Sequence, residues 1–122
     1  MDLSKYKITI ENKKGSYKSF ENEDDEVLST YPLKGVTYPV DYGCIEGYEG
    51  EDRAELDIFV GSGDQNGFIA VWRLDVPTET KFFANLTEEE LKNVLDVFMP
   101  VLVSHKILSE VEFISKVEEF KK

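Results

Sequence analysis

Carboxylates gather between Tyr38 and Val60, in the run YPVDYGCIEGYEGEDRAELDIFV. Asp52 and Asp57 stand five positions apart, with Glu51 and Glu55 beside them. Asp57 belongs to Leu56-Asp57-Ile58-Phe59-Val60, a short apolar strand pattern, and Asp52 to the loop that feeds it. Negative groups crowded at a strand start repel one another unless a cation lies between them. Hard divalent ions take oxygen ligands, so this is the chain's best candidate for a divalent-metal site. The plainer alternatives are a strand carboxylate bonded to a nearby turn for Asp57 and a solvated loop acid for Asp52.

The same run resembles the signature region of soluble inorganic pyrophosphatases. That family shows Tyr-Pro-x-x-Tyr-Gly-Phe-Ile-Pro, then Asp-x-Asp-Pro-x-Asp and an apolar strand. Tyr38, Pro39, Tyr42, Gly43 and Ile45 match the first block, and Asp52, Leu56 and Asp57 the second. Ala54 stands where the family has its central Asp, and Glu55 where it has Pro. Upstream, Glu11, Lys14-Gly15-Ser16 and Phe20-Glu21 align with Glu-x-x-Lys-Gly-Ser-x-x-Lys-Tyr-Glu, while Ser19 and Thr30 fall where the family has a phosphate-binding Lys and an Arg. Downstream, Asp75, Glu79 and Lys81 are similar to Asp-x-x-x-x-Asp-x-Lys.

The resemblance implies the chemistry. Pyrophosphate resists hydrolysis because its anionic phosphorus repels a nucleophile; divalent ions neutralise its oxygens and acidify a bound water. By resemblance Asp52, Asp57, Asp75 and Glu79 hold Mg²⁺ (or Mn²⁺). Tyr42, Asp52, Glu11 and Glu21 are the catalytic set, and Lys81, His105 and Lys106 bind substrate. The plainer alternative for Tyr42 is a core aromatic with its hydroxyl at the surface. His105 beside Lys106 at the expected end of a helix reads first as a C-terminal cap. Cys44 reads as a small buried apolar residue, since no His lies near it in sequence and its surroundings are acidic.

These residues need elements to hold them. Residues 6–11 alternate as a strand, and 17–21 return as its partner after the Gly15-Ser16 turn. Asn22 to Glu26 reads as an acidic loop and Val27 to Tyr31 as another strand. Residues 61–67 read as a hairpin loop, with Asn66-Gly67 suited to positive φ, and 68–76 as the long return strand. Lys81-Phe82-Phe83 starts a further short strand. Thr87-Glu88-Glu89-Glu90 and Ser109-Glu110-Val111-Glu112 are capping boxes that open two helices, the first interrupted by Pro100. Strands first and helices last give an α+β, mainly β, fold. Short strands between Gly turns favour a small closed barrel; the resemblance makes it a five-stranded OB-like barrel with two C-terminal helices outside. Phe59, Phe68 and Trp72 are expected in its core.

At 122 residues the chain reads as one domain, 1–122. A net charge of -11 argues against nucleic acid and against anionic lipid, and so against an OB-type oligonucleotide binder. No apolar run reaches the length of a signal sequence or a membrane span. The single Cys44 excludes an internal disulfide, so a cytoplasmic protein is expected. The expected partner is pyrophosphate or another small phosphate compound, with homo-oligomerisation open. The expected function is Mg²⁺-dependent hydrolysis of pyrophosphate. The rival is a catalytically silent homologue that binds metal, a phosphate compound or a protein partner.

Overall fold

The computed structural model describes residues 1–20, 31–74 and 76–122. The expectations for Glu21, for the acidic loop 22–26, for the strand at 27–30, for Thr30 and for Asp75 lie outside the described residues.

Eight strands and two helices are described: β1 (Ile8–Asn12), β2 (Tyr17–Ser19), β3 (Gly35–Thr37), β4 (Asp41–Glu49), β5 (Glu55–Val60), β6 (Gln65–Val71), β7 (Glu79–Leu86), α1 (Glu88–Phe98), β8 (Leu102–Leu108) and α2 (Glu110–Glu118). A 3-10 turn, Met99–Val101, links α1 to β8. Six strands form a mixed sheet in the order β1-β4-β5-β7-β6-β8, and β2 pairs with β3 in a separate ribbon. Among the described residues β8 and β1 are the two edges and do not pair. The sheet is therefore open, and the five-stranded closed barrel expected from the sequence is not what forms.

The pairing differs from the sequence reading in three places. β2 pairs with β3, not with β1. β5 and β6 do not form a hairpin; β7 inserts between them, parallel to β5 and antiparallel to β6. Asn66 and Gly67 lie inside β6, and Gly67 is not among the glycines with positive φ. Gly67 is there for close approach: a Cβ would sit 1.9 Å from the Lys106 carbonyl oxygen of β8. Gly43 serves β4 the same way, 1.8 Å from the Thr9 oxygen of β1.

Both capping boxes form. The Thr87 and Ser109 side chains accept from the Glu90 and Glu112 amides, and those glutamates accept from the cap amides in return. Pro100 lies in the 3-10 turn, and the chain leaves as β8. The expectation that α1 runs towards His105 fails here, because Val103 and Ile107 join a strand paired with β6.

Alternation along each strand divides the core into two. Leu56 and Ile58 of β5 join Phe82 and Ala84 of β7 against Phe113 and Val117 of α2. Phe59 and Phe83 face the other way, with Tyr42, Ile69 and Val71, against Leu91, Val94 and Phe98 of α1. Phe59, Phe82, Phe83 and Phe113 are wholly buried, each stabilising the fold by roughly 1.5–3 kcal/mol. Phe68 is only partly buried. Trp72, expected in the core, is 39% exposed and packs on Tyr31 instead.

Candidate active site

The α1 face of the sheet carries the chemistry. On β5 the residue beside Phe59 on that face is Asp57; on β7, Glu79 and Lys81 precede Phe83; on β4, Tyr42 and Cys44 alternate with Gly43 and Ile45. Register brings them together: Asp57 is opposite Cys44 on one side and Lys81 on the other. The cavity above them has a volume of about 900 Å³. Its walls include Glu11, Tyr38, Tyr42, Asp52, Asp57, Arg73, Glu79 and Lys81.

Lys81 is the hub. Its Nζ donates to Tyr42 Oη at 2.6 Å, Asp57 Oδ2 at 2.9 Å and Glu79 Oε1 at 3.0 Å. The same ammonium lies 5.1 Å from the centroid of the Tyr42 ring. Burial alone would lower its pKa; Tyr42, Asp57 and Glu79 outweigh that and hold it well above the ordinary lysine value. Tyr42 keeps its phenolic proton, because burial raises its pKa further than Lys81 lowers it. Tyr38 stacks on Tyr42 with ring centroids 4.7 Å apart, and burial pushes its phenol up to about 12.

Arg73 is the second cation. One guanidinium nitrogen donates to Asp52 Oδ2 at 2.8 Å and to Glu79 Oε2 at 2.7 Å. Asp52 is aimed there by a tight turn: Gly50 N–H donates to the Ala54 carbonyl, Ala54 N–H donates to Asp52 Oδ1, and Arg53 has φ +66°. Cys44 donates its thiol to Glu55 Oε2 at 2.8 Å, and burial followed by that bond pushes its pKa up to about 12. It is a protonated wall residue, as its sequence context suggests. Glu51 faces away from the cavity, bound to the amide and hydroxyl of Thr80.

Glu79 is the most deeply buried of these carboxylates. Its burial, then its shared hydrogen bond with Asp57, raise its pKa against the opposing pull of Lys81 and Arg73. A raised folded-state value means that folding favours the protonated form. That contribution is present below the ordinary value of 4.5 and is lost as pH climbs through the raised one. The stability of the native chain relative to Glu79→Gln should therefore fall as pH rises above that ordinary value. Urea midpoints for both proteins across the range read it directly; a constant or rising difference would contradict the assignment.

Of the residues singled out by sequence, Glu11, Tyr42, Asp52, Asp57, Glu79 and Lys81 line one cavity. Ser19, Lys18 and Ala54 line it too. His105 and Lys106 do not: both are exposed on β8, opposite Ile69 and Phe68. Nor are they helix caps, since α1 ends well before them. Arg73 was missed because residues 68–76 read as one unbroken strand, whereas β6 stops at Val71. The available signal was an Arg and a Glu on either side of Pro77.

Comparison with known proteins agrees with the sequence resemblance. A family model described as Inorganic Pyrophosphatase matches residues 1–85 of the 122. The chain belongs to the inorganic pyrophosphatase family. No curated protein and no solved structure matches it.

Proposed function

We propose that the chain hydrolyses inorganic pyrophosphate to two phosphates in this cavity, with Mg²⁺ (or Mn²⁺) as cofactor. The observation that carries the reading is the Lys81 cluster with Tyr42, Asp57 and Glu79 in the wall of a cavity, in a member of this family. The cavity wall carries Glu11, Asp52, Glu55, Asp57 and Glu79 against Lys18, Arg73 and Lys81. A polyanion entering that excess of negative charge needs cations with it. The donors are carboxylate oxygens, the type Mg²⁺ takes, so the donor chemistry fits. No three acids among the described residues converge on one point. Asp52, Asp57 and Glu79 are the carboxylates from which ligands to an ion would be drawn; in this structure Arg73 bridges Asp52 and Glu79, and Lys81 bridges Asp57 and Glu79.

A bound divalent ion supplies charge neutralisation of the phosphate oxygens and a more acidic water. The chain's own residues do the rest. Lys81 supplies a fixed positive charge beside the phosphate, its three N–H groups already holding Tyr42, Asp57 and Glu79. The neutral Tyr42 hydroxyl donates a hydrogen bond to a phosphate oxygen, and the stacked Tyr38 fixes its ring. Glu11 lies exposed in the cavity wall.

A second reading is favoured by one feature: Ala54 puts a methyl group where the resemblance puts a carboxylate, and Asp52, Asp57 and Glu79 are each engaged by Lys81 or Arg73. On that reading the cavity binds a phosphate compound without turning it over. Phosphate release measured alongside calorimetric binding of pyrophosphate in Mg²⁺ separates the two. Hydrolysis predicts slow release that Ala54→Asp raises at least tenfold, because the added carboxylate holds the ion better. Binding with no release in either protein selects the silent reading.

A further inference from the structure

Arg73 has no place in the metal and phosphate roles assigned above, yet it holds the cavity together. Its guanidinium spans Asp52, on the turn before β5, and Glu79, the first residue of β7. The Glu79 side chain is 2% exposed and that of Asp52 12%. Glu79 is satisfied on both oxygens, by Arg73 on Oε2 and by Lys81 on Oε1. A divalent ion shared by Asp52 and Glu79 would need their oxygens at about 2.1 Å. The nitrogen already sits within 2.8 Å of both, so ion and guanidinium cannot occupy that gap together.

Ala54 lies in the same turn, two residues after Asp52, and its amide caps the Asp52 carboxylate. A cavity with a carboxylate at 54 and no guanidinium would be more negative by two charges. Two charges are the charge of one divalent ion.

We propose that Arg73 is a built-in counter-cation that takes the place of one divalent ion between Asp52 and Glu79. The cavity thus holds fewer ions than its carboxylates would otherwise demand, and its phosphate ligand draws part of its positive charge from the chain itself. The consequence for the phosphate ligand rests on the reading of the cavity as a pyrophosphate site. The counter-ion role is a statement about ion binding and stands or falls separately.

The test is a titration of the folded protein with Mn²⁺ alone, read by calorimetry and by the loss of the free-ion spin-resonance signal. Arg73→Gln removes the charge and should bind Mn²⁺ at least about tenfold more tightly than the native chain, or take up one ion more. Arg73→Met, uncharged and keeping the apolar stem, must behave the same way. Arg73→Lys keeps the charge and must stay within about threefold of the native chain. Glu79 retains Lys81 in all three, and circular dichroism confirms that each folds. Unchanged or weaker Mn²⁺ binding in both Arg73→Gln and Arg73→Met overturns the proposal. So does tighter binding in Arg73→Lys, because the charge would then not be what excludes the ion. None of these results depends on whether pyrophosphate is hydrolysed. Failure of hydrolysis with the Mn²⁺ pattern intact would sink only the reading of the substrate.

Discussion

Replacing Lys81 with Met should destabilise the protein by about 3–5 kcal/mol, a large share of a small domain's stability. The ammonium is the shared partner of Asp57, Glu79 and Tyr42. Methionine matches the length of the chain and leaves little void, so the loss reports the charge. Of the cations Lys81 and Arg73, Glu79 would keep Arg73, and Asp57 would lose its charged donor. Breaking a buried ion pair from one side is costly because the other charge stays behind in a poor dielectric. Equilibrium urea unfolding measures the difference. Added Mg²⁺ should then raise the melting temperature of Lys81→Met more than that of the native chain, since a divalent ion can neutralise the carboxylates that Lys81 leaves. A stability loss under 1 kcal/mol would show that the cluster is solvated and that Lys81 is a surface residue.

Tyr42→Phe should lower affinity for pyrophosphate, or kcat/KM for its hydrolysis, about tenfold or more. The phenol is protonated and adjoins Asp57 and Lys81, so it can donate to a phosphate oxygen in a charge-assisted bond. Losing such a bond costs about 1.5–3 kcal/mol. The ring is 7% exposed and stacks between Tyr38 and Phe59, and phenylalanine keeps that packing. Stability should change by less than ligand binding does. The opposite pattern, a destabilised protein with unaltered pyrophosphate affinity, would make Tyr42 a core residue.

The cluster was legible before the fold was. Asp57 was marked by a carboxylate in an apolar strand and by the resemblance, and Tyr42 by the resemblance alone, through Tyr38-Pro39 and Tyr42-Gly43; both are local signals. Period-two alternation puts Asp57 and Phe59 on one face of β5 in the structure, a placement the sequence reading left open. Both helix starts were legible for the same reason: a capping box is four consecutive residues with a closed set of hydrogen bonds. What failed was non-local. Strand partners are chosen by which faces must be buried, so β7 could enter between β5 and β6 with no sequence mark of it. The segment 102–108 carries Val103, Ile107 and Leu108 at spacings a helix also allows, and it became a strand because β6 offered an open edge. That displacement carried His105 and Lys106 away from the cavity. Gly67 was read as a turn residue, since a missing Cβ looks the same whether it permits positive φ or close packing. Arg73 was hidden by the strand boundary at Val71.

The most direct test is release of phosphate from pyrophosphate by the purified chain, with and without Mg²⁺, beside its Asp57→Asn variant. Asp57 binds Lys81 and lines the cavity, and the amide keeps its shape while removing its charge. The native chain should release phosphate only with Mg²⁺ present, and Asp57→Asn should reduce that release at least about a hundredfold. No release by the native chain at any Mg²⁺ concentration, or equal release by both proteins, would contradict this reading.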